Sequence, residues 1–253
     1  MKSPIKDKPL RNPGQSLQER KDELFEEQFS PLLLFAIMLV VLAGLEWMRE
    51  MKDTPPLPRT VSTITFAVVL YTIWKGRKIL NEVRRLNKGI AGEKAVGQSL
   101  DRLREIGARI FHDIQGEGFN LDHVVIHTTG IYMLETKTWS KPDRGKAEIF
   151  YDGEQVLRNG SETPSNPVIQ AKAGAKWLSE VLAESTGTKF PVIPVVLFPG
   201  WYITSNADAK RSVAWVLNPK ALKPIIEKRY DALKPEEVSL CALHLKRFIQ
   251  SCS

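Results

Sequence analysis

The sequence predicts a mixed α/β domain carried behind a pair of membrane-spanning helices. Three observations predict it. Two nearly charge-free apolar runs fall within residues 30–75. From Gly89 onward, short β-branched runs alternate with stretches of helical period. One hairpin within that second part, Asn120 to Lys137, ends its apolar strands on charged residues.

The 253 residues, 43% of them hydrophobic, give room for one medium domain and an appendage. Cys241 and Cys252 lie together near the C-terminus, without the spacing of a disulfide framework or a metal site, and fit a reducing compartment. The net charge of +7 is unevenly spread. Residues 1–88 hold 15 Lys/Arg against 10 Asp/Glu, and residues 89–253 hold 21 against 19. The basic surplus therefore flanks the apolar runs, where it reports membrane orientation more than nucleic-acid binding.

Residues 1–29 read as a flexible polar tail leading into a short amphipathic helix over Gln18–Gln28. Pro31 to Leu45 is then free of charge, and Val61 to Trp74 forms the second run after the turn-prone Asp53-Thr54-Pro55-Pro56-Leu57-Pro58. Each is slightly short of the roughly 20 residues that span a bilayer, with Phe29, Trp47, Tyr71 and Trp74 as interfacial anchors. The expectation is a transmembrane hairpin over 30–75, with buried core helices as the alternative. Residues 1–29 carry six Lys/Arg, Glu46–Thr60 three and Lys75–Lys88 six. Both ends are therefore placed on the cytoplasmic side of an inner or plasma membrane, with 76–88 a basic juxtamembrane linker.

In residues 89–253 the first element is a helix from Gly92 to about Ile106, stopped by Gly107. Its apolar stripe of Val96, Leu100 and Leu103 is led by Glu93, an unusual place for a carboxylate unless it serves the helix dipole. A strand over Arg109–Ile114 follows, then the hairpin, turned at Thr128-Thr129-Gly130. Alternation puts Glu135 and Lys137 on one face and Asp122 across from them. Buried charges are costly alone, so this cluster means a metal, mutual pairing or chemistry; a metal is expected. A cationic loop, Thr138–Lys146, leads to a second hairpin, Ala147–Tyr151 with Gln155–Arg158. Asn166-Pro167 caps a helix to about Ala183, with Gln170, Gly174, Trp177 and Val181 on one face. Val192–Phe198 reads as a central strand, Val213–Leu217 as another, and Pro219–Lys228 and Pro235–Cys252 as closing helices. His123 and His127 share the face opposite Asp122 and read as packed or surface residues, like His112 and His244. There is no Gly-rich phosphate loop, serine nucleophile elbow or zinc signature.

Four pieces in order resemble the nuclease-related domain (NERD) family of the PD-(D/E)xK nuclease superfamily. They are Gly92-Glu93-Lys94-Ala95-Val96, Asn120-Leu121-Asp122-His123-Val124-Val125, Gly130 through Lys137, and Asn166-Pro167-Val168-Ile169-Gln170. The resemblance covers about residues 89–200 and implies a restriction-endonuclease-like mixed sheet flanked by helices. It departs after the lysine, where the family tends to have Asn and soon a Gly; here Thr138 and an extended Trp139–Arg144 segment stand there.

The implied activity is divalent-metal-dependent hydrolysis of phosphodiester bonds, of DNA before RNA, by an endonuclease. The implied cofactor is Mg²⁺ or Mn²⁺, held by Asp122, Glu135 and the Thr136 carbonyl, with Glu93 holding a second ion or a bound water. Lys137 would orient or deprotonate the attacking water, and Gln170 would orient water or contact phosphate. The small surplus charge of residues 89–253 implies that a homo-oligomer or protein partner adds affinity. Two alternatives stand: a catalytically silent nucleic-acid- or protein-binding module on the same fold, and a structural ion-pair network of Asp122, Glu135 and Lys137.

Overall fold

A computed structural model describes residues 10–50, 58–142 and 144–252, the side chains of Glu50 and Cys252 excepted. The tail before residue 10, the turn-prone residues 53–57 and Asp143 of the cationic loop lie outside the described residues. The chain forms two compact units: Ser16–Lys88, and the residues up to Gln15 together with Gly89–Ser253.

In the first unit, α1 (Gln15–Glu23), a π-helical stretch (Leu24–Phe29) and α2 (Ser30–Glu50) run on as one helix. The expected separate amphipathic helix is thus the beginning of a longer element. Over Gln15–Arg49, 35 residues, it is long and apolar enough to cross a membrane. Among the described residues no second helix meets that measure. The run from Val61 to Trp74 is short, contains Ser62, Thr63, Thr65 and Thr72, and opens the 44-residue helix α3 (Pro58–Asp101). The two helices touch through polar groups: Trp47 Nε1 donates to Ser62 Oγ at 3.0 Å, and Thr65 Oγ1 to the Leu39 carbonyl at 3.2 Å. Leu34, Ile37, Val40 and Val41 on α2, and Ile64, Phe66, Leu70 and Trp74 on α3, stay exposed.

α3 also corrects the expected helix start at Gly92. No proline interrupts residues 76–91, and lone glycines at 76, 89 and 92 cost only about 1 kcal/mol each in a helix. It tightens into a 3₁₀ turn over Arg102–Ile106 and stops at Gly107, whose φ of 87° is the left-handed conformation glycine tolerates.

The second unit is built on a mixed five-stranded sheet of order β1-β2-β3-β6-β8. β1 (Arg109–Gln115), β2 (Asn120–His127) and β3 (Gly130–Thr136) run antiparallel; β6 (Val192–Leu197) and β8 (Trp215–Leu217) extend it in parallel. β6 is central, as its unbroken apolar run predicts. A smaller sheet joins β4 (Glu148–Tyr151), β5 (Val156–Arg158) and β7 (Tyr202–Ser205). β7 was not expected, because its sequence alternates over only four residues, half of them polar. α4 (Pro167–Thr186) and α6 (Pro235–Cys252) cover one face of the main sheet, packing on Ile114, Leu121, Val124, Ile126, Ile131 and Met133. The end of α3 and α5 (Pro219–Glu227) cover the other, on Val125, Tyr132, Leu134 and Val195.

Candidate active site

The β2–β3 register sets the site. His127 faces Gly130 and His123 faces Leu134, so the next step sets Asp122 against Glu135. The Asp122 carboxylate accepts from the Thr136 backbone N–H at 2.7 Å, which fixes it across the end of β3. Lys137 Nζ lies 2.6 Å from Glu135 Oε1, as expected for residues two apart on one strand face, and donates to Gln170 Oε1 at 2.9 Å. Gln170 stands exposed on the first turn of α4, after the Asn166 side chain has capped that helix through the Val168 N–H. The buried face of α4 is Val168, Ala171, Gly174, Ala175, Leu178 and Leu182.

Two glycines let the helices come this close. A Cβ on Gly174 would stand 2.3 Å from Met133 Cε, so α4 lies on the sheet one turn beyond Gln170. A Cβ on Gly92 would stand 1.7 Å from Thr138 Cγ2, so α3 presses against the chain just past Lys137. That approach brings in Glu93, which is buried at the head of Val96, Leu100 and Leu103 as the stripe predicts.

The site is electrostatically unbalanced. Burial, then the Glu135 and Glu93 charges, push the Asp122 carboxyl well above the usual carboxylate range, against the lowering effect of the Thr136 N–H and Lys137. Burial raises Glu135, and Lys137 pulls it back. Glu93 is raised to about 7 by burial, then by Asp113 and Glu135. Three buried polar side-chain atoms among the described residues have no hydrogen-bond partner, and two of them, Glu135 Oε2 and Thr136 Oγ1, are here. An unpaired buried oxygen beside mutually repelling carboxylates is what a cation would relieve.

Among the described residues no group of three or more His, Cys, Asp or Glu side chains is set to hold one metal ion. Mg²⁺ asks for less: one or two carboxylates and several waters. Asp122 and the free oxygen of Glu135 meet that demand.

Sequence reasoning passed over three residues beside this cluster. Asp113 is almost fully buried, has a φ of 50°, and occupies the unpaired step between His112↔His123 and Ile114↔Leu121, opposite Asp122. Arg11 Nε contacts its carboxylate at 2.5 Å. The Gly14 N–H donates to Glu93. An aspartate inside the apolar Ile110–Ile114 run carried the same signal as Asp122; Arg11 and Gly14, in a polar segment remote in sequence, carried none. The histidines are packed, as expected: His112 and His123 join through Nδ1 atoms 2.9 Å apart.

The fold and the site together define a class: a mixed α/β domain in which acids from two strands and a helix meet a lysine and a glutamine. Residues 88–199 match the model of the nuclease-related domain, consistent with the PD-(D/E)xK nuclease superfamily. No curated protein matches the chain. Among solved structures, the crystal structure of protein VC1899 from Vibrio cholerae is similar at 11% identity and a TM-score of 0.28, over 97% of this chain and 59% of that one. At that score the likeness carries no argument about site or activity.

Proposed function

We propose that the protein is a membrane-anchored, cytoplasm-facing nuclease that hydrolyses phosphodiester bonds, DNA before RNA, with Mg²⁺ or Mn²⁺. The observation that carries this reading is the Asp122–Glu135–Lys137–Gln170 cluster, in which a salt-bridged lysine leaves one oxygen of a buried glutamate unpaired. Asp122, Glu135 and the Thr136 carbonyl would hold the cation, with Glu93 beside them for a second ion or a water. When bound, the cation supplies Lewis-acid stabilisation of phosphate charge and makes water more acidic. Lys137 has three N–H donors; Glu135 and Gln170 take two, leaving the third for an attacking water or a phosphate oxygen. Gln170, fixed by that bond, retains its amide N–H₂ to orient the same water. Glu93, raised to about 7, is suited to take or give a proton near neutrality.

Arg11 precedes the apolar region, Asp113 follows it, and the two form an ion pair within one compact unit. This pairing supports a reading in which both ends of Ser16–Lys88 are on one side of a bilayer and any crossing is made an even number of times. One crossing by Gln15–Arg49 then requires a return through the apolar start of α3, with exposed Phe66, Leu70 and Trp74 facing lipid. The Lys/Arg counts put both ends in the cytoplasm.

The test is relaxation of supercoiled plasmid by the full chain in detergent micelles, with Mg²⁺ or Mn²⁺ and with chelator. Cation-dependent cutting is expected, lost in Asp122→Asn. No cutting of DNA or RNA, with intact folding, would instead favour a silent binding module. For the anchor, detergent should extract the protein from membranes where carbonate and high salt do not; release by either would refute the anchor.

A further inference from the structure

The segment Leu10–Gln15 reads in the sequence as tail, yet it grips the helix that carries Glu93 at three points. Pro13 packs where a Cβ on Gly97 would stand 2.6 Å from its Cγ. Gly14, at a φ of +71°, lies so close to α3 that a Cβ there would be 3.3 Å from Ile90 Cα and 3.7 Å from Glu93 Cβ. Its N–H donates to the Glu93 carboxylate. The segment is folded by its own turn, with Gln15 N–H on the Asn12 carbonyl at 3.2 Å and Asn12 N–H on Gln15 Oε1 at 3.0 Å. From this turn Arg11 reaches Asp113, and both side chains are nearly sequestered, 9% and 2% exposed.

What the segment holds is selective. Its two charge-bearing contacts fall on two acids, one in the candidate site and one opposite Asp122 across β1 and β2. Asp113 keeps a φ of 50°, a left-handed conformation that a non-glycine residue holds where the surroundings enforce it. A guanidinium is suited to that work, since it stays charged and its planar fork fixes a carboxylate's direction.

We propose that Leu10–Gln15 is part of the active site, with Arg11 and Gly14 as positioning residues that hold Asp113 and Glu93 against the strand ends bearing Asp122 and Glu135. This rests on the nuclease reading of that site. It makes the site a product of chain on both sides of the apolar segment, so a domain fragment beginning near Gly89 lacks a working part.

The test compares wild type, Arg11→Gln, Arg11→Lys and Gly14→Ala as full chains in micelles. The readouts are Mn²⁺-dependent plasmid relaxation, Mn²⁺ affinity by calorimetry, and amide hydrogen exchange over residues 93–97 and 110–114. Arg11→Gln and Gly14→Ala are expected to lower kcat roughly tenfold or more at unchanged KM and to weaken Mn²⁺ binding, as loss of a ligand's supporting partner does. Arg11→Lys should recover part of the rate. A lowered melting temperature with kcat and Mn²⁺ affinity within about twofold of wild type would reduce the segment to a structural tie and overturn the proposal. If wild type itself neither cuts nor binds Mn²⁺, the nuclease reading fails, and exchange then decides the positioning. Faster exchange at 93–97 and 110–114 in Arg11→Gln would then sustain only the hold on Asp113 and Glu93 and overturn the active-site role; unchanged exchange would overturn both.

Discussion

The two ends of the β2–β3 hairpin are made from similar residue types and are finished in opposite ways. At the turn, no buried side-chain nitrogen or oxygen among the described residues is left without a partner. His127 Nε2 meets the Ile106 carbonyl at 3.0 Å, which accepts only, so Nε2 carries the proton and Nδ1 accepts from Thr129. Thr129 Oγ1 in turn meets the Tyr132 hydroxyl at 2.9 Å, and the Thr128 carbonyl receives the Ala232 and Leu233 N–H groups at 2.8 Å each. At the other end Glu135 Oε2 and Thr136 Oγ1 have no partner, and three acids are pushed toward holding protons. One end is closed to stabilise; the other carries an imbalance that a ligand would relieve. Local violations of polar satisfaction in an otherwise consistent fold point to function.

The comparison breaks first at activity. Glu135→Gln or Lys137→Ala should lower cation-dependent plasmid cleavage by about 10²–10⁴-fold, the scale of a lost proton-transfer or charge-stabilising group. For Glu135→Gln the melting temperature should stay near or above wild type, since the charge that repels Asp122 and Glu93 is removed; Lys137→Ala strips the buried Glu135 of its ion-pair partner and is read on activity alone. A structural ion-pair network would give the reverse, lost stability with little else to measure.

A smaller loss is expected from Gly92→Ala. The added Cβ meets Thr138 Cγ2 at 1.7 Å and separates Glu93 from the strand ends. A fall of about tenfold in kcat is expected from such a misplacement, recovered in large part by adding Thr138→Ser, which removes the clashing methyl. No recovery would mean that the helix does not approach the strand in this way.

Acidity separates the ends next. Glu93 keeps a proton up to about 7 in the folded chain, whereas unfolded it gives it up near 4.5. The folded state thus binds more protons between those values, and Glu93 costs stability as pH rises through the window. His112 and His123, depressed by burial to about 4 and 3, act with the opposite sign, losing stability as pH falls below about 6.5. Chelator-treated wild type minus Glu93→Gln isolates the acid. That difference should move against wild type by roughly 1 kcal/mol per pH unit across the window, and Mn²⁺ should raise the melting temperature more at pH 8 than at pH 5. A difference flat with pH would remove the charge conflict.

The smallest effect belongs to the turn. Tyr132→Phe should cost about 1–2 kcal/mol by chemical denaturation, leaving Thr129 short of a partner, with cleavage unchanged.

Much of this was legible in residue order. Strand alternation placed Asp122 against Glu135 and Lys137 with Glu135, and the helical period put Glu93 at the head of a buried stripe. Local pattern fails where a choice is made by distant chain. Nothing near Gly92 says that α3 began at Pro58, because a proline-free stretch continues a helix that enters it even across single Gly and Asn residues. β7 is too short for its alternation to be read. Arg11 carries no periodic signal at all; what assigns it a place is a carboxylate 102 residues away.

The central claim is that the open end of the hairpin binds a divalent cation through Asp122 and Glu135. Calorimetric titration of Mn²⁺ into the full chain in micelles near pH 7.5 tests it without any substrate. Saturable binding by wild type, abolished or weakened about 10–100-fold in Asp122→Asn and in Glu135→Gln, is the predicted result. No binding by folded wild type, or binding that both variants retain unchanged, would contradict it.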